Sequence, residues 1–69
     1  MAYNVNIRRD AAEHVYYVVS SDIPGLHAEA SSADELFDII RDLAPDLLSS
    51  ETADIPIEFH VEVITAHMA

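Results

Sequence analysis

Five histidines and glutamates are the residues of this sequence whose types and spacing could bind a metal ion. They are His27, Glu29, Glu58, His60 and Glu62. Imidazole and carboxylate groups are ordinary zinc ligands, and alternate residues of a strand share one face of a sheet. The element order, however, predicts that the first two and the last three lie on opposite sheet edges, about 14 Å apart. We therefore expect solvated polar residues and no metal site within one chain; only a dimer interface could bring the two groups together.

A row of aspartates at intervals of four residues is the second candidate. This aspartate row consists of Asp34, Asp38, Asp42 and Asp46. On a helix, the spacing places all four carboxylates on one face, where like charges oppose helix formation by about 0.2–0.5 kcal/mol per pair. The row is thus either a solvated face or a docking surface for a basic partner.

The rest of the composition offers little for catalysis. The sequence has no cysteine, and a single glycine cannot build a phosphate-binding glycine loop. No Ser/His/Asp or Cys/His set is recognisable. We expect no catalytic residues, no cofactor and no enzymatic activity.

The charge limits the partners. Thirteen acidic residues and three arginines give a formal net charge of −10. Nucleic-acid binding mostly depends on basic residues that replace counterions, so we expect no direct contact with nucleic acid, and none with anionic membranes. A basic protein would be attracted, although solubility alone also explains such a charge. Without a long apolar run or a signal-peptide pattern, the sequence predicts a cytoplasmic protein.

Two periodicities define the elements that position these residues. Alternating apolar residues predict strands over residues 3–9, 14–19, 26–30 and 55–65. Residues 33–48 predict an amphipathic helix, with a break near Ala44 because Pro45 disfavours helical geometry. The order β-β-β-α-β predicts a single two-layer α+β domain over residues 1–69, with one helix on a four-stranded sheet.

Two local signals lie between the second strand and the helix. Pro24 and Gly25 predict a type II turn, because proline suits its first central position and glycine accepts the positive φ of the second. Asp22 is expected to accept hydrogen bonds from the amides of this turn. Ser32 and Glu35 match the capping box that opens a helix.

The segment from Ser20 to Leu36 resembles the HicB-like antitoxins. Their pattern is a strand, Asp-aliphatic-Pro-Gly, a short strand, a small polar pair, and a helix opened by an acidic residue and leucine. Its positions are filled by Asp22, Ile23, Pro24, Gly25, Ser31, Ser32, Glu35 and Leu36. The later Leu-Ala-Pro-Asp-Leu-Leu over residues 43–48 looks closer still to a short, uncharacterised branch, and the resemblance covers about residues 3–65.

The resemblance implies a truncated ribonuclease-H-like fold with strand order 3-2-1-4, in which the fourth strand is parallel to the first. It also implies neutralisation of HicA, a small basic toxin that cleaves mRNA. Fuller members carry a C-terminal DNA-binding domain; this sequence shows none up to Ala69, so DNA binding is not carried over. Nuclease activity by two-metal hydrolysis would need converging carboxylates. Residues 3–9, the first predicted strand, offer none, so the sequence does not predict this activity.

We therefore expect a non-enzymatic interaction module that binds a HicA-like toxin; the alternative is a homo-oligomeric domain that binds a metal or small ligand at a subunit interface. A homodimer or larger assembly is predicted because a 69-residue chain without disulfides is marginal alone. The broad apolar arc of the helix supports this, as does an edge position for the last strand. Tyr16 and Val18, expected on the sheet face that the helix leaves uncovered, also support it.

Overall fold

One helix lies on a four-stranded sheet in this structure, a computed structural model that describes residues 2–50 and 54–63. The elements are β1 (Tyr3–Asp10), β2 (Val15–Ser21), β3 (Glu29–Ala30), α1 (Ala33–Leu47) and β4 (Ile57–Val63). The strand order is β3-β2-β1-β4; β4 runs parallel to β1, and the other neighbours are antiparallel. The predicted α+β class and the strand order are confirmed.

The core lies between α1 and the sheet face that it packs on, here called the covered face. Its completely buried large side chains are Val5, Ile7, Ile23, Leu36 and Ile40. On α1, the buried residues Leu36, Ile40 and Ala44 recur every four positions, as one face of a helix requires. In β1, the buried residues alternate with exposed Asn4 and Asn6, which lie on the opposite, open face.

A β-bulge in β2 changes which of its residues reach the core. The pairing with β1 shifts between Asn6 and Ile7, so that Val19 becomes the extra residue on β2. Tyr16 and Val18 pack against the core, so the expectation that they lie on the uncovered face is wrong. The alternation of polar and apolar residues could not show which face of β2 packs on the core, because both faces of β2 carry apolar residues.

Five strand boundaries differ from those predicted; two of them are the end of β2, at Ser21 rather than residue 19, and the start of β4, at Ile57 rather than residue 55. β2 begins at Val15 rather than at residue 14, because His14 has a φ of 56° and belongs to the hairpin turn. β1 extends one residue further, to Asp10, whose carboxylate accepts hydrogen bonds from the turn amides of Ala12 (3.0 Å) and Glu13 (3.2 Å). β3 is only two residues long. The ends predicted for the last strand, residues 64 and 65, lie outside the described residues.

The helix passes through Pro45 without the break predicted near Ala44. Proline lacks only its own N–H, so near the end of a helix it removes a single hydrogen bond. The next turn closes normally, since the amide of Leu48 donates to the carbonyl of Ala44 at 2.9 Å. No helix in residues 2–50 and 54–63 is long and apolar enough to cross a membrane.

A left-handed residue ends α1. Ser49 has a φ of 53°. Its amide donates to Asp46 at 3.2 Å, and the amide of Ser50 donates to Pro45 at 2.8 Å. These two bonds form a Schellman motif, in which glycine usually occupies the place of Ser49.

Candidate functional site

The aspartate row lies on the outer face of α1. All four of its side chains are exposed, on the side of the helix away from the core residues. Arg41 is the one basic residue of the helix, and its Nη1 lies 3.5 Å from Oδ1 of Asp38. The guanidinium of Arg41 also lies over the ring of Phe59, 5.3 Å from its centroid. The row therefore keeps most of its negative charge towards solvent.

The helix dipole favours only one end of the row. Asp34 and Glu35 lie in the first turn, where a carboxylate stabilises the positive end of the helix dipole. The last turn has no basic residue, and Asp42 and Asp46 approach the negative end. Within the row, Asp34 thus supports the helix electrostatically, whereas Asp42 and Asp46 oppose it.

A cap fixes the start of the helix and so the position of the row. Ser32 is the N-cap, and its side chain accepts a hydrogen bond from the Glu35 amide at 3.2 Å. Oε2 of Glu35 accepts from the hydroxyl of Ser31, also at 3.2 Å. In an ordinary capping box, the Glu35 side chain would accept a hydrogen bond from the backbone amide of the N-cap residue. Here it bonds instead to the side chain of the residue before the N-cap.

The Pro24–Gly25 turn has type II geometry. Gly25 has a φ of 76°, and the amide of Leu26 donates to the carbonyl of Ile23 at 3.4 Å. Since proline holds its own φ negative, this combination defines type II. The turn directs Ile23 and Leu26 into the core, where both are buried.

Asp22 is engaged with β1 rather than with the amides of the turn. Its Oδ2 accepts from the backbone amide of Asn4 at 2.9 Å and from the Asn4 side chain at 3.1 Å. These bonds, the backbone one first, hold the pKa of Asp22 below its usual value of 3.8. The hydroxyl of Ser21 instead accepts from the Ile23 amide at 3.1 Å. Within the described part of the chain, Ser21 thus has the local role predicted for Asp22.

The contact of Asp22 continues across the open face. The side-chain nitrogen of Asn4 donates to Asp22, so its oxygen is the acceptor for Nε2 of His60 at 3.0 Å. The same Nε2 lies 3.8 Å from Oε1 of Glu58. Sequence reasoning missed Asn4 as the centre of this group; the alternation of polar and apolar residues in β1 placed it on a polar face but gave no partner.

Further along the open face, the polar contacts again cross strands. Asn6 donates to the hydroxyl of Ser20 at 3.0 Å, and Nη2 of Arg8 lies 3.6 Å from Oε2 of Glu62. These residues line a shallow depression of about 310 Å³. The Nε atom of Arg8 is buried there without a hydrogen-bond partner.

The predicted histidines and glutamates are not brought together. His27 and Glu29 lie by the β3 edge, and Glu58, His60 and Glu62 lie on the β4 edge, with two strands between them. Within residues 2–50 and 54–63, no group of three or more histidine, aspartate or glutamate residues has an arrangement that could hold a metal ion.

The fold and this polar face define a small α+β domain with one helix over a mixed sheet. The chain belongs to the family described as a domain of unknown function, DUF1902, which matches residues 2–68. No curated protein matches the chain. A solved crystal structure, of the hypothetical protein TTHA1013 from the extremely thermophilic bacterium Thermus thermophilus, has a similar fold: the TM-score is 0.60 and the identity 24%, over 96% of this chain and 99% of that one.

Proposed function

We propose that this chain is a non-enzymatic, cytoplasmic protein-interaction module that binds a small basic protein through the aspartate row. The motif from Asp22 to Leu36, which resembles the HicB-like antitoxins, supports a HicA-like mRNA-cleaving toxin as the partner. The observation that carries the proposal is the exposure of all four aspartates on the outer face of the helix.

Folding alone does not explain the row. Neighbouring aspartates four residues apart repel each other, and the two near the C-terminal end also oppose the helix dipole. Arg41 pairs with Asp38 at the surface, where such a pair contributes little. A feature that opposes local stability is a candidate for function.

The geometry of the row indicates what would recognise it. At a rise of about 1.5 Å per residue, Asp34 and Asp46 are about 18 Å apart along the helix axis. A partner that matches the row would present lysines or arginines along a similar length. Electrostatic complementarity of this kind raises the association rate and depends on salt.

Charge reversal tests the proposal. The double variant D38K/D42K should weaken binding to a small basic HicA-like protein by about tenfold or more. The melting temperature should stay the same or rise, because repulsion within the row falls. Titration calorimetry at two salt concentrations and growth rescue from the toxin in co-expressing cells provide the measurements.

The matched control is E13K/E29K, which changes the net charge equally at two exposed residues away from α1. We expect it to affect affinity much less than D38K/D42K. Equal losses from the two variants would mean that net charge, not the row, attracts the partner. Affinity that responds neither to the reversal nor to salt would refute docking on the row.

A second candidate is a homo-oligomer that binds a small ligand or a metal at a subunit interface. The depression on the open face favours it, since Arg8, His60 and Glu62 line it. An R8A variant would abolish such binding, whereas D38K/D42K would leave it intact. That pattern separates this candidate from the first.

A further inference from the structure

The two edges of the sheet differ in their protection against pairing with another strand. β3 forms one edge and is only two residues long. β4 forms the other edge with seven residues, and it contains no proline, no lysine and no bulge. Proline, lysine and bulges are among the devices by which proteins block an edge strand; the charged side chains of β4 are Glu58 and Glu62. The described part of the chain leaves the β4 edge open to pairing.

The hydrogen bonding of β4 shows which backbone groups face outwards. The carbonyl of Pro56 accepts from the amide of Tyr3 at 2.9 Å, so it points towards β1. Backbone groups of successive residues in a strand point to alternate sides. Ile57, Phe59 and Val61 therefore direct their N–H and C=O groups away from β1.

From this geometry we propose that β4 pairs antiparallel with β4 of a second copy, about a two-fold axis through Phe59. The outward groups of Phe59 bond to those of the partner's Phe59, and Ile57 bonds to the partner's Val61. On the open face, Glu58 then lies opposite the partner's His60. The strand is thus complementary to itself in backbone hydrogen bonding, in apolar side chains and in the pairing of glutamate with histidine.

The two-fold register about the neighbouring residue His60 fits less well. An axis through His60 would place Glu58 opposite the partner's Glu62, and like charges directly opposite each other repel. The axis through Phe59 avoids this, and it also covers Val61, whose side chain is 42% exposed although it is apolar. The ring of Phe59 already stacks on Phe37, with centroids 4.4 Å apart. A two-fold axis at Phe59 extends this stack into an aromatic row across both subunits.

This self-complementarity favours a second copy over an unrelated strand as the occupant of the edge. The opposing factor is the net charge of −10 on each chain. We therefore expect association to strengthen in moderate salt, which screens that repulsion. The inference does not depend on the aspartate row binding a basic protein.

Sedimentation equilibrium of the full chain in moderate salt tests the pairing. The wild-type protein should sediment at twice 7.6 kDa. V61P removes an outward N–H without removing any bond to β1, so it should abolish the dimer while the circular dichroism of the fold is kept. V61T is the control, because it keeps the N–H and the β-branched shape.

A second set of variants tests the charge pairing. H60E should raise the dissociation constant of the dimer by about tenfold, whereas H27E, with the same charge change by the β3 edge, should change it less than about twofold. The swap E58H/H60E should restore association, because it re-creates the pairing of glutamate with histidine only for an axis through Phe59. For an axis through Val61, the swap would leave two glutamates facing each other.

Three results would overturn the inference. One is a single 7.6 kDa species at high micromolar concentration. Another is a dimer that survives V61P unchanged, which would place the interface elsewhere. The third is failure of the side-chain test, seen either as an equal response to H60E and H27E or as a swap that does not restore association in a correctly folded protein.

Discussion

The covered and open faces of the sheet are built from the same strands but are held by different interactions. On the covered face, Val5 and Ile7 are completely buried under α1. On the open face, Asn4, His60 and Glu58 form contacts that stay exposed to water. Apolar burial contributes about 25 cal/mol per Å², whereas exposed polar pairs contribute little. Stability therefore depends on the covered face, and the open face tolerates changes that recognition requires.

The largest effect expected is loss of a core side chain. Ile7→Ala should destabilise the fold by about 2–5 kcal/mol, because it leaves a cavity beneath α1. Val19→Ala, on the 46% exposed bulge residue, should cost no more than about 0.5 kcal/mol. Urea denaturation measures both. If Ile7→Ala does not fold, Ile7→Val should still cost about 0.5–1.5 kcal/mol; equal losses at residues 7 and 19 would refute the contrast between the faces.

A second prediction concerns the turn that brings Ile23 and Leu26 to the covered face. Gly25→Val should cost more than about 1 kcal/mol, because a φ of 76° is strained for a residue with a Cβ. Space is not the reason: a Cβ at Gly25 would meet only Leu47, at an ordinary 3.7 Å. Gly25→Ala should therefore also be destabilising, but less so than the β-branched valine. A loss within about 0.5 kcal/mol for valine, measured by thermal melting, would contradict this account.

A smaller, stabilising effect is expected at the end of α1. Ser49→Gly relieves a left-handed residue, which costs about 1–2 kcal/mol, but glycine itself loses about 0.5–1 kcal/mol more entropy on folding. The net gain should be about 0.5 kcal/mol, visible as a modest rise in melting temperature. Ser49→Ala keeps the strain and serves as the control, which should show no such gain.

The smallest effect belongs to the open face and depends on pH. Because hydrogen bonds from Asn4 lower the pKa of Asp22 in the folded state, its stabilising contribution is present above the unfolded value near 3.8 and is lost as the pH falls through the folded value. D22N should therefore lower the melting temperature more at pH 6 than at pH 2.5. D42N removes the same charge from an exposed helix residue and corrects for net charge. A difference in melting temperature between D22N and D42N that stays constant with pH would rule out this linkage between stability and the ionisation of Asp22.

The sequence allowed the fold to be predicted wherever one periodicity dominated. Alternation in β1, the repeat of apolar residues in α1 and the Pro24–Gly25 pair each indicated the structure that is seen. Prediction from the sequence failed at β2, where both faces are apolar and the bulge at Val19 shifts the alternation by one residue. It also failed at Pro45, where α1 continues through the proline to Leu47.

The open-face contacts could not be predicted for a different reason. Asp22 and Asn4 are eighteen residues apart in the chain, and Asn4 and His60 are fifty-six apart. Only the register of three strands brings them together, and that register depends on the bulge. The position of the aspartate row, by contrast, follows from a local repeat, and the structure places all four side chains on the exposed side of the helix.

The central position of β1 also has a consequence for how the chain folds. Its antiparallel partner β2 follows after a four-residue turn, whereas its parallel partner β4 comes only after β2, β3 and α1. Local pairs close quickly, and distant parallel pairs close slowly. During synthesis, the β1–β2 hairpin can form well before β4 is available. For that interval one side of β1 has no strand partner, and the nascent chain is most open to mispairing there.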